Sequence, residues 1–188
     1  GMQLYGLDPA KKHLFIVGGS LGSGTLNRSM KKWIEDGCPG GEGIEIIWQC
    51  GKYYKADIDA FMKDRNVEGV WYTDFIQRMD LAYAVADVVV SRAGASSVSE
   101  LCAMGKAVIF VPSPNVTEDH QTHNAMALVN KGAALIVKDS EAVEKLMETA
   151  CSLIEDPEKI ALIERNAAAM AKTDAAQTIA DEVYKIIG

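Results

Sequence analysis

The stretch Asp87-Val88-Val89-Val90-Ser91-Arg92-Ala93-Gly94-Ala95-Ser96-Ser97-Val98-Ser99-Glu100-Leu101 decides how this chain folds. Its consecutive valines read as a strand that empties into a turn of small residues. A helix follows at once, with Ser97 and Glu100 in the spacing of a capping box. Such a turn leaves backbone N–H groups unpaired at the positive end of a helix dipole, which suits a phosphate. An earlier stretch, His13-Leu14-Phe15-Ile16-Val17-Gly18-Gly19-Ser20-Leu21-Gly22-Ser23-Gly24-Thr25, repeats the design in a Gly-rich form. Two anion-friendly turns on neighbouring strands fit one diphosphate between them.

Outward from these turns the pattern is regular. Leu26, Met30, Trp33 and Ile34 fall on one face of a helix that ends near Gly37. Strands are expected at Ile44 to Trp48, Val67 to Trp71, Val88 to Ser91, Ala107 to Val111 and Ala134 to Val137. Helices are expected at Ala56 to Arg65, Leu81 to Ala86, Ser97 to Met104, Thr122 to Lys131, Glu141 to Ile154, Glu158 to Ala171 and Ala175 to Ile187. The alternation predicts an α/β fold, a doubly wound, Rossmann-like parallel sheet of about six strands with helices on both faces. With strand order 3-2-1-4-5-6, the ligand crevice lies where the order reverses, between the Gly19 loop and the Ala95 turn.

The 188 residues suffice for one sizeable core, and residues 1–188 read as a single domain. A hydrophobic content of 48% is that of a globular protein. The formal net charge of −7, with Lys11-Lys12 and Lys31-Lys32 as pairs rather than patches, argues against a nucleic-acid partner. No apolar run approaches the roughly 18 residues of a membrane span, and no signal-peptide pattern is present, so the chain is expected in the cytosol. Gly1 before Met2 reads as a cloning scar or an internal cut. Cys38, Cys50, Cys102 and Cys151 form no Cys-x-x-Cys pair, which leaves reduced, partly buried thiols.

The motifs narrow the ligand. A dinucleotide fingerprint needs an acid about 20 residues past its glycines, and here the second strand ends in Gln49-Cys50. Gly19 and Gly24 have P-loop spacing, yet Thr25 stands where the phosphate-binding Lys belongs. On its own the loop also reads as a plain strand-to-helix turn. Glu100 reads either as a capping carboxylate or, at the mouth of the crevice, as an acceptor for both ribose hydroxyls. His120 and His123, within Glu118-Asp119-His120-Gln121-Thr122-His123, lack a third spaced metal ligand. The sharper reading there is that His120, Gln121 and Asn124 hydrogen-bond the hydroxyls of a sugar. Asp57-Ile58-Asp59 has the spelling of a cation-holding sugar-transferase motif but follows no apolar strand, and reads as helix-start chemistry.

Taken in order, Gly18-Gly19-Ser20-Leu21-Gly22-Ser23, Phe75-Ile76, Ala86 to Gly94, Ser97-Val98-Ser99-Glu100, Phe110-Val111-Pro112, Asp119-His120-Gln121 and Asn124-Ala125 resemble the carboxyl-terminal half of the MurG family. Those bacterial transferases add N-acetylglucosamine to a lipid-linked muramyl-pentapeptide in peptidoglycan synthesis, converting lipid I to lipid II. The resemblance implies one half of a two-domain GT-B architecture that holds the donor, UDP-N-acetylglucosamine. Residue by residue it implies Ser20 and Gly22 in the Gly-rich loop, the main chain of Ile76 at the uracil, and Glu100 at the ribose. It further implies Ser20 and the turn Ala95, Ser96, Ser97 at the diphosphate, Val98 and Ser99 as further donor-binding residues, and Gln121 at the sugar. Ser96 stands where relatives often carry Leu, and Ser97 where Thr is common; both keep a small polar turn. The loop Ser113-Pro114-Asn115-Val116-Thr117 also varies among relatives.

What the resemblance implies about activity is inverting transfer without a metal or other cofactor. The acceptor site, catalytic base and membrane contact would belong to an absent amino-terminal domain, at the inner face of the cytoplasmic membrane. No catalytic residue is expected in this chain, which alone should be inactive, and residues 173–188 could cross to the missing domain. Other readings keep the site and change the biology: the donor subunit of a two-chain transferase, a non-catalytic nucleotide-sugar module, or a UDP-sugar epimerase of the same architecture.

Overall fold

Each apolar run read as a strand becomes one in the computed structural model, which describes residues 1–65, 67–115 and 119–187. The strands are β1 (Lys12–Val17), β2 (Ile44–Gln49), β3 (Val70–Thr73), β4 (Val88–Ser91), β5 (Ala107–Phe110) and β6 (Leu135–Ile136). The helices are α1 (Met2–Tyr5), α2 (Gly24–Glu35), α3 (Lys55–Met62), α4 (Met79–Val85), α5 (Ala95–Ala103), α6 (His120–Val129), α7 (Asp139–Ile154), α8 (Pro157–Ala168) and α9 (Ala175–Ile187). Every strand pairing is parallel, in the order β3-β2-β1-β4-β5-β6. The expected doubly wound, Rossmann-like sheet is therefore what the chain forms.

Side chains alternate across the sheet and divide the core in two. Leu14, Ile16, Ile46, Trp48, Val88, Val90 and Ile109 face α2, α3 and α7. Phe15, Val17, Ile47, Val89, Val108 and Phe110 face α1, α4, α5 and α6. Helix α8 joins both layers, with Ile163 in the first and Ala167 in the second. Phe15, Trp48 and Phe110 are fully buried, and each such side chain contributes about 2–3 kcal/mol by burial. Leu26, Met30, Trp33 and Ile34 are all buried, so α2 packs by the face its spacing predicted.

Several boundaries move. Strand β3 starts at Val70 rather than Val67, because Gly69, at φ +75°, turns the chain before it pairs with Ile46. Helix α5 starts at Ala95, two residues before Ser97, so Ser97 is not its cap. The N-cap is Gly94, no side chain bonds the first turn, and the capping box expected of Ser97 and Glu100 is not formed. The short helix α1 was not anticipated; Tyr5 and Leu7 bury its end against the second layer.

Register positions the site. Val17 pairs with Ser91, so the turns leaving β1 and β4 begin level with each other at the point where strand order reverses. No helix among the described residues is long and apolar enough to cross a membrane.

Candidate functional site

The two turns face one another across a cavity of about 540 Å³ at the carboxyl ends of β1, β2 and β4. From the first comes the loop Gly18 to Gly24, whose path only glycine permits at one point. Gly22 has φ +90°, and a Cβ there would lie 2.2 Å from the carbonyl oxygen of Cys50. Ser23 then caps α2, its Oγ accepting from the N–H of Leu26 at 3.3 Å.

The second turn is built differently. Gln121 Oε1 accepts from the N–H groups of Ala93 at 3.2 Å and Ser113 at 2.9 Å, while Asn124 Nδ2 donates to the Ala93 carbonyl at 3.0 Å. Both polar groups of the Ala93 main chain are thus held by α6. The first bond of α5 runs from Val98 N–H to the Gly94 carbonyl at 2.9 Å. The N–H groups of Ala95, Ser96 and Ser97 precede that bond and receive no side-chain cap. They point their donors, and the positive end of the α5 dipole, outward from the strand ends.

Of the residues singled out from sequence, Ser20, Gly22, Ile76, Ser97, Glu100 and Gln121 line the cavity. Ala95, Ser96, Val98 and Ser99 lie in the first turns of α5 but not on the wall, and the Val98 N–H is spent inside the helix. At Ile76 the N–H donates to Gln49 Oε1 at 2.8 Å, which leaves the carbonyl as the main-chain group for a ligand. With Gln121 Oε1 twice engaged, its amide nitrogen is the end that can meet a hydroxyl.

Glu100 is exposed at the rim, where Tyr83 Oη donates to its Oε2 at 3.4 Å. Burial, then the charge and hydrogen bond of Glu100, push the Tyr83 hydroxyl well above the usual tyrosine range. Tyr83 therefore remains a proton donor to the carboxylate.

Other motifs fall elsewhere. Asn124 serves the Ala93 turn, His120 and His123 are exposed off the wall, and Val116, Thr117 and Glu118 lie outside the described residues. Asp57 pairs with Lys31 at 3.2 Å and Asp59 with Lys55 at 2.5 Å on α3. The helix-start reading of that Asp-x-Asp spelling is the one the structure bears out, and the hydrogen bond from Lys55 holds the Asp59 carboxyl below its ordinary range.

The match to a known family is extensive. The description "Glycosyltransferase family 28 C-terminal domain" fits residues 13–181, which includes both turns and every residue on the cavity wall. This chain belongs to that family. It is 46% identical over 186 residues to the UDP-N-acetylglucosamine--N-acetylmuramyl-(pentapeptide) pyrophosphoryl-undecaprenol N-acetylglucosamine transferase of Parabacteroides distasonis, covering 99% of this chain and 50% of the relative. The crystal structure of Acinetobacter baumannii MurG superposes with a TM-score of 0.81 at 29% identity, over 97% of this chain and 52% of that one. The S. aureus MnaA–UDP co-structure, at 11% identity over 99% of this chain and 47% of that one, has a TM-score of 0.71 and shares the fold alone. The chain spans about half the length of the relatives it matches.

Within this family 28 domain, sequence reasoning missed the residues that hold the wall in place. Gln49 occupies the seat where a dinucleotide fold would carry its acid, and uses its amide to bridge loops, donating Nε2 to the Gly19 carbonyl at 3.0 Å. Asn27 does similar work beneath the loop: Nδ2 donates to the Cys50 carbonyl at 2.9 Å and Oδ1 accepts from Trp48 Nε1 at 3.0 Å. The available signal for both was a polar side chain at a position that burial reserves for apolar ones.

Proposed function

We propose that this family 28 domain is the donor-binding half of an inverting N-acetylglucosaminyltransferase that converts lipid I to lipid II. The observation that carries the reading is the uncapped amino terminus of α5 facing the Gly-rich loop across one cavity, with Glu100 at its rim. In this reading UDP-N-acetylglucosamine lies along that cavity. The uracil meets the Ile76 carbonyl, the ribose hydroxyls meet Glu100, the diphosphate lies between Ser20 and the α5 amino terminus where Gly94 and Ser97 reach the wall, and the sugar reaches Gln121. The similarity to the Parabacteroides distasonis transferase and to MurG supports the choice of nucleotide sugar.

The chemistry follows from the dipoles. The acceptor hydroxyl attacks the anomeric carbon from the face opposite UDP, forming the new C–O bond as the bond to the diphosphate oxygen breaks. UDP leaves with the electron pair, and main-chain N–H groups at the α5 terminus offset its growing negative charge. The reading assigns that task to amides and no cofactor to the domain. The hydroxyl proton passes to a base in the other half of the enzyme, which also binds the lipid-linked acceptor and meets the cytoplasmic face of the membrane. Helix α9 fits a crossing to that half, since Ile179, Val183, Tyr184 and Ile186 expose an apolar face.

Isothermal titration of the chain with UDP and 2′-deoxy-UDP tests the reading. UDP should bind, and Glu100→Ala should weaken it about tenfold while changing 2′-deoxy-UDP less, since one bidentate hydrogen bond to a charged group contributes about 1.5–3 kcal/mol. Failure of UDP to bind, or equal losses for both ligands, overturns it. Transfer to lipid I should be recovered only when the amino-terminal half of a relative is added.

A further inference from the structure

An ion pair stands behind the wall of the cavity, in a place the donor reading leaves unexplained. Arg92 is the single cation among the described residues that line it, yet its guanidinium is bound to protein. Nη1 donates to Asp139 Oδ1 at 2.5 Å, to the Val111 carbonyl at 2.9 Å and to the Pro112 carbonyl at 3.2 Å. Nη2 donates to Ser23 Oγ at 2.7 Å. Asp139, the first residue of α7, accepts at its other oxygen from Thr25 Oγ1 at 3.0 Å. Thr25 in turn accepts from Arg28 Nη2 at 3.1 Å.

The side chains of Arg92 and Asp139 are only 15% and 20% exposed. Charges so placed are weakly screened by salt, so an unopposed cation on the wall of a diphosphate site would strengthen anion binding considerably. Asp139 itself is off the wall and acts through Arg92.

We infer that Asp139 is a positioning residue that sets the charge of the donor cavity. It aims the Arg92 fork at Ser23 and the β5 end, and it cancels the Arg92 charge there. The diphosphate then meets neutral main-chain donors instead of a net cation, which lets the product diphosphate leave as readily as the donor enters. The inference rests on the donor reading above.

Asp139→Asn tests it, because an amide oxygen still accepts from Arg92 while the negative charge is gone; Arg28 is unchanged. The probes are UDP and uridine, titrated calorimetrically into the 188-residue chain. The variant should bind UDP about tenfold more tightly at low salt, and uridine within about twofold of the wild type. The gain should shrink in about 0.5 M NaCl without vanishing, because a largely buried charge is screened less than an exposed one. In the wild type, UDP affinity should change by less than about threefold over the same salt range, a measurement that needs no variant. Thr25→Val, which removes the other partner of Asp139 and no charge, should leave UDP affinity near wild type.

A merely structural role predicts the opposite sign, with UDP and uridine weakened together in Asp139→Asn, and that result overturns the inference. Equal tightening in Thr25→Val, or strong salt dependence in the wild type, overturns it as well. A wild type that binds no UDP overturns the donor reading and this inference with it. A wild type that binds UDP beside an Asp139→Asn variant that binds it no better overturns only this one.

Discussion

Helices α2 and α5 leave neighbouring parallel strands at the same level, and only one of them closes its own amino terminus. In α2, Ser23 satisfies the Leu26 N–H, and its oxygen is shared with Arg92. In α5 the cap is Gly94, which brings no side chain, and no side chain caps the first turn. The same strand-turn-helix unit thus serves two ends: a capped terminus that fixes the loop, and an open one that can hold an anion. Where the unit is spent on stability the turn is locked by side chains; where it is open, the lock is moved one residue back, to Gln121 and Asn124 on Ala93.

The comparison breaks most severely at Gly22. Gly22→Ala puts a Cβ against the Cys50 carbonyl, at φ +90°. Strain and overpacking should cost about 4 kcal/mol in urea unfolding and abolish UDP binding. Next comes Ser23→Ala, which removes the cap and an Arg92 acceptor together. A loss of about 2 kcal/mol is expected, with UDP weakened less than the fold; a variant as stable as wild type would show that α2 does not need its cap.

Gly94→Asp sharpens the contrast by giving α5 the cap it lacks. At φ −66° the position accepts a side chain, and a Cβ meets nothing nearer than Ser97 Oγ at 4.0 Å. Stability should rise by a few tenths of a kcal/mol, as expected for replacing a Gly N-cap. UDP should lose at least about tenfold, or 1.4 kcal/mol, to a carboxylate seated on its donors. Tighter UDP binding in this variant would end the assignment of α5 as the anion terminus.

The smallest effect lies beneath the loop. Burial pushes the Cys50 thiol up to about 11, and its Sγ donates to the Thr73 carbonyl at 3.2 Å. Because the folded state favours the neutral thiol, this contribution to stability is complete below the ordinary thiol range near about 8.5 and fades as pH rises toward about 11. Urea midpoints should fall more steeply over that interval in the wild type than in Cys50→Ala. A disulfide reagent at pH about 8 should modify half-buried Cys38 before Cys50.

Much of the architecture was legible because it depends on local pattern. Val88 to Val90 could only be a buried strand, and the α2 face was written in the spacing of Leu26, Met30, Trp33 and Ile34. The helix start at Ala95 was misplaced, because Ser97-x-x-Glu100 imitates a capping box and local spelling cannot tell a cap from a residue inside the first turn. Ser20 and Ser97 stand at the turns that leave β1 and β4, whereas Glu100 and Gln121 lie a helix or a loop further on and were singled out through the family resemblance; all four line the cavity. Gln49, Asn27, Arg92 and Asp139 carry their roles through partners far along the chain, 47 residues apart for the last pair, and nothing local marks such a pairing.

Gln49 has a consequence for how such a cavity can change. Its one amide group holds the Gly19 carbonyl with its nitrogen and the Ile76 N–H with its oxygen. The span between the phosphate end and the base end of the proposed ligand is therefore gauged by a rigid group a few ångströms wide. A descendant of this fold that sought a longer or shorter carrier molecule would have to replace that gauge before altering any residue that touches the ligand.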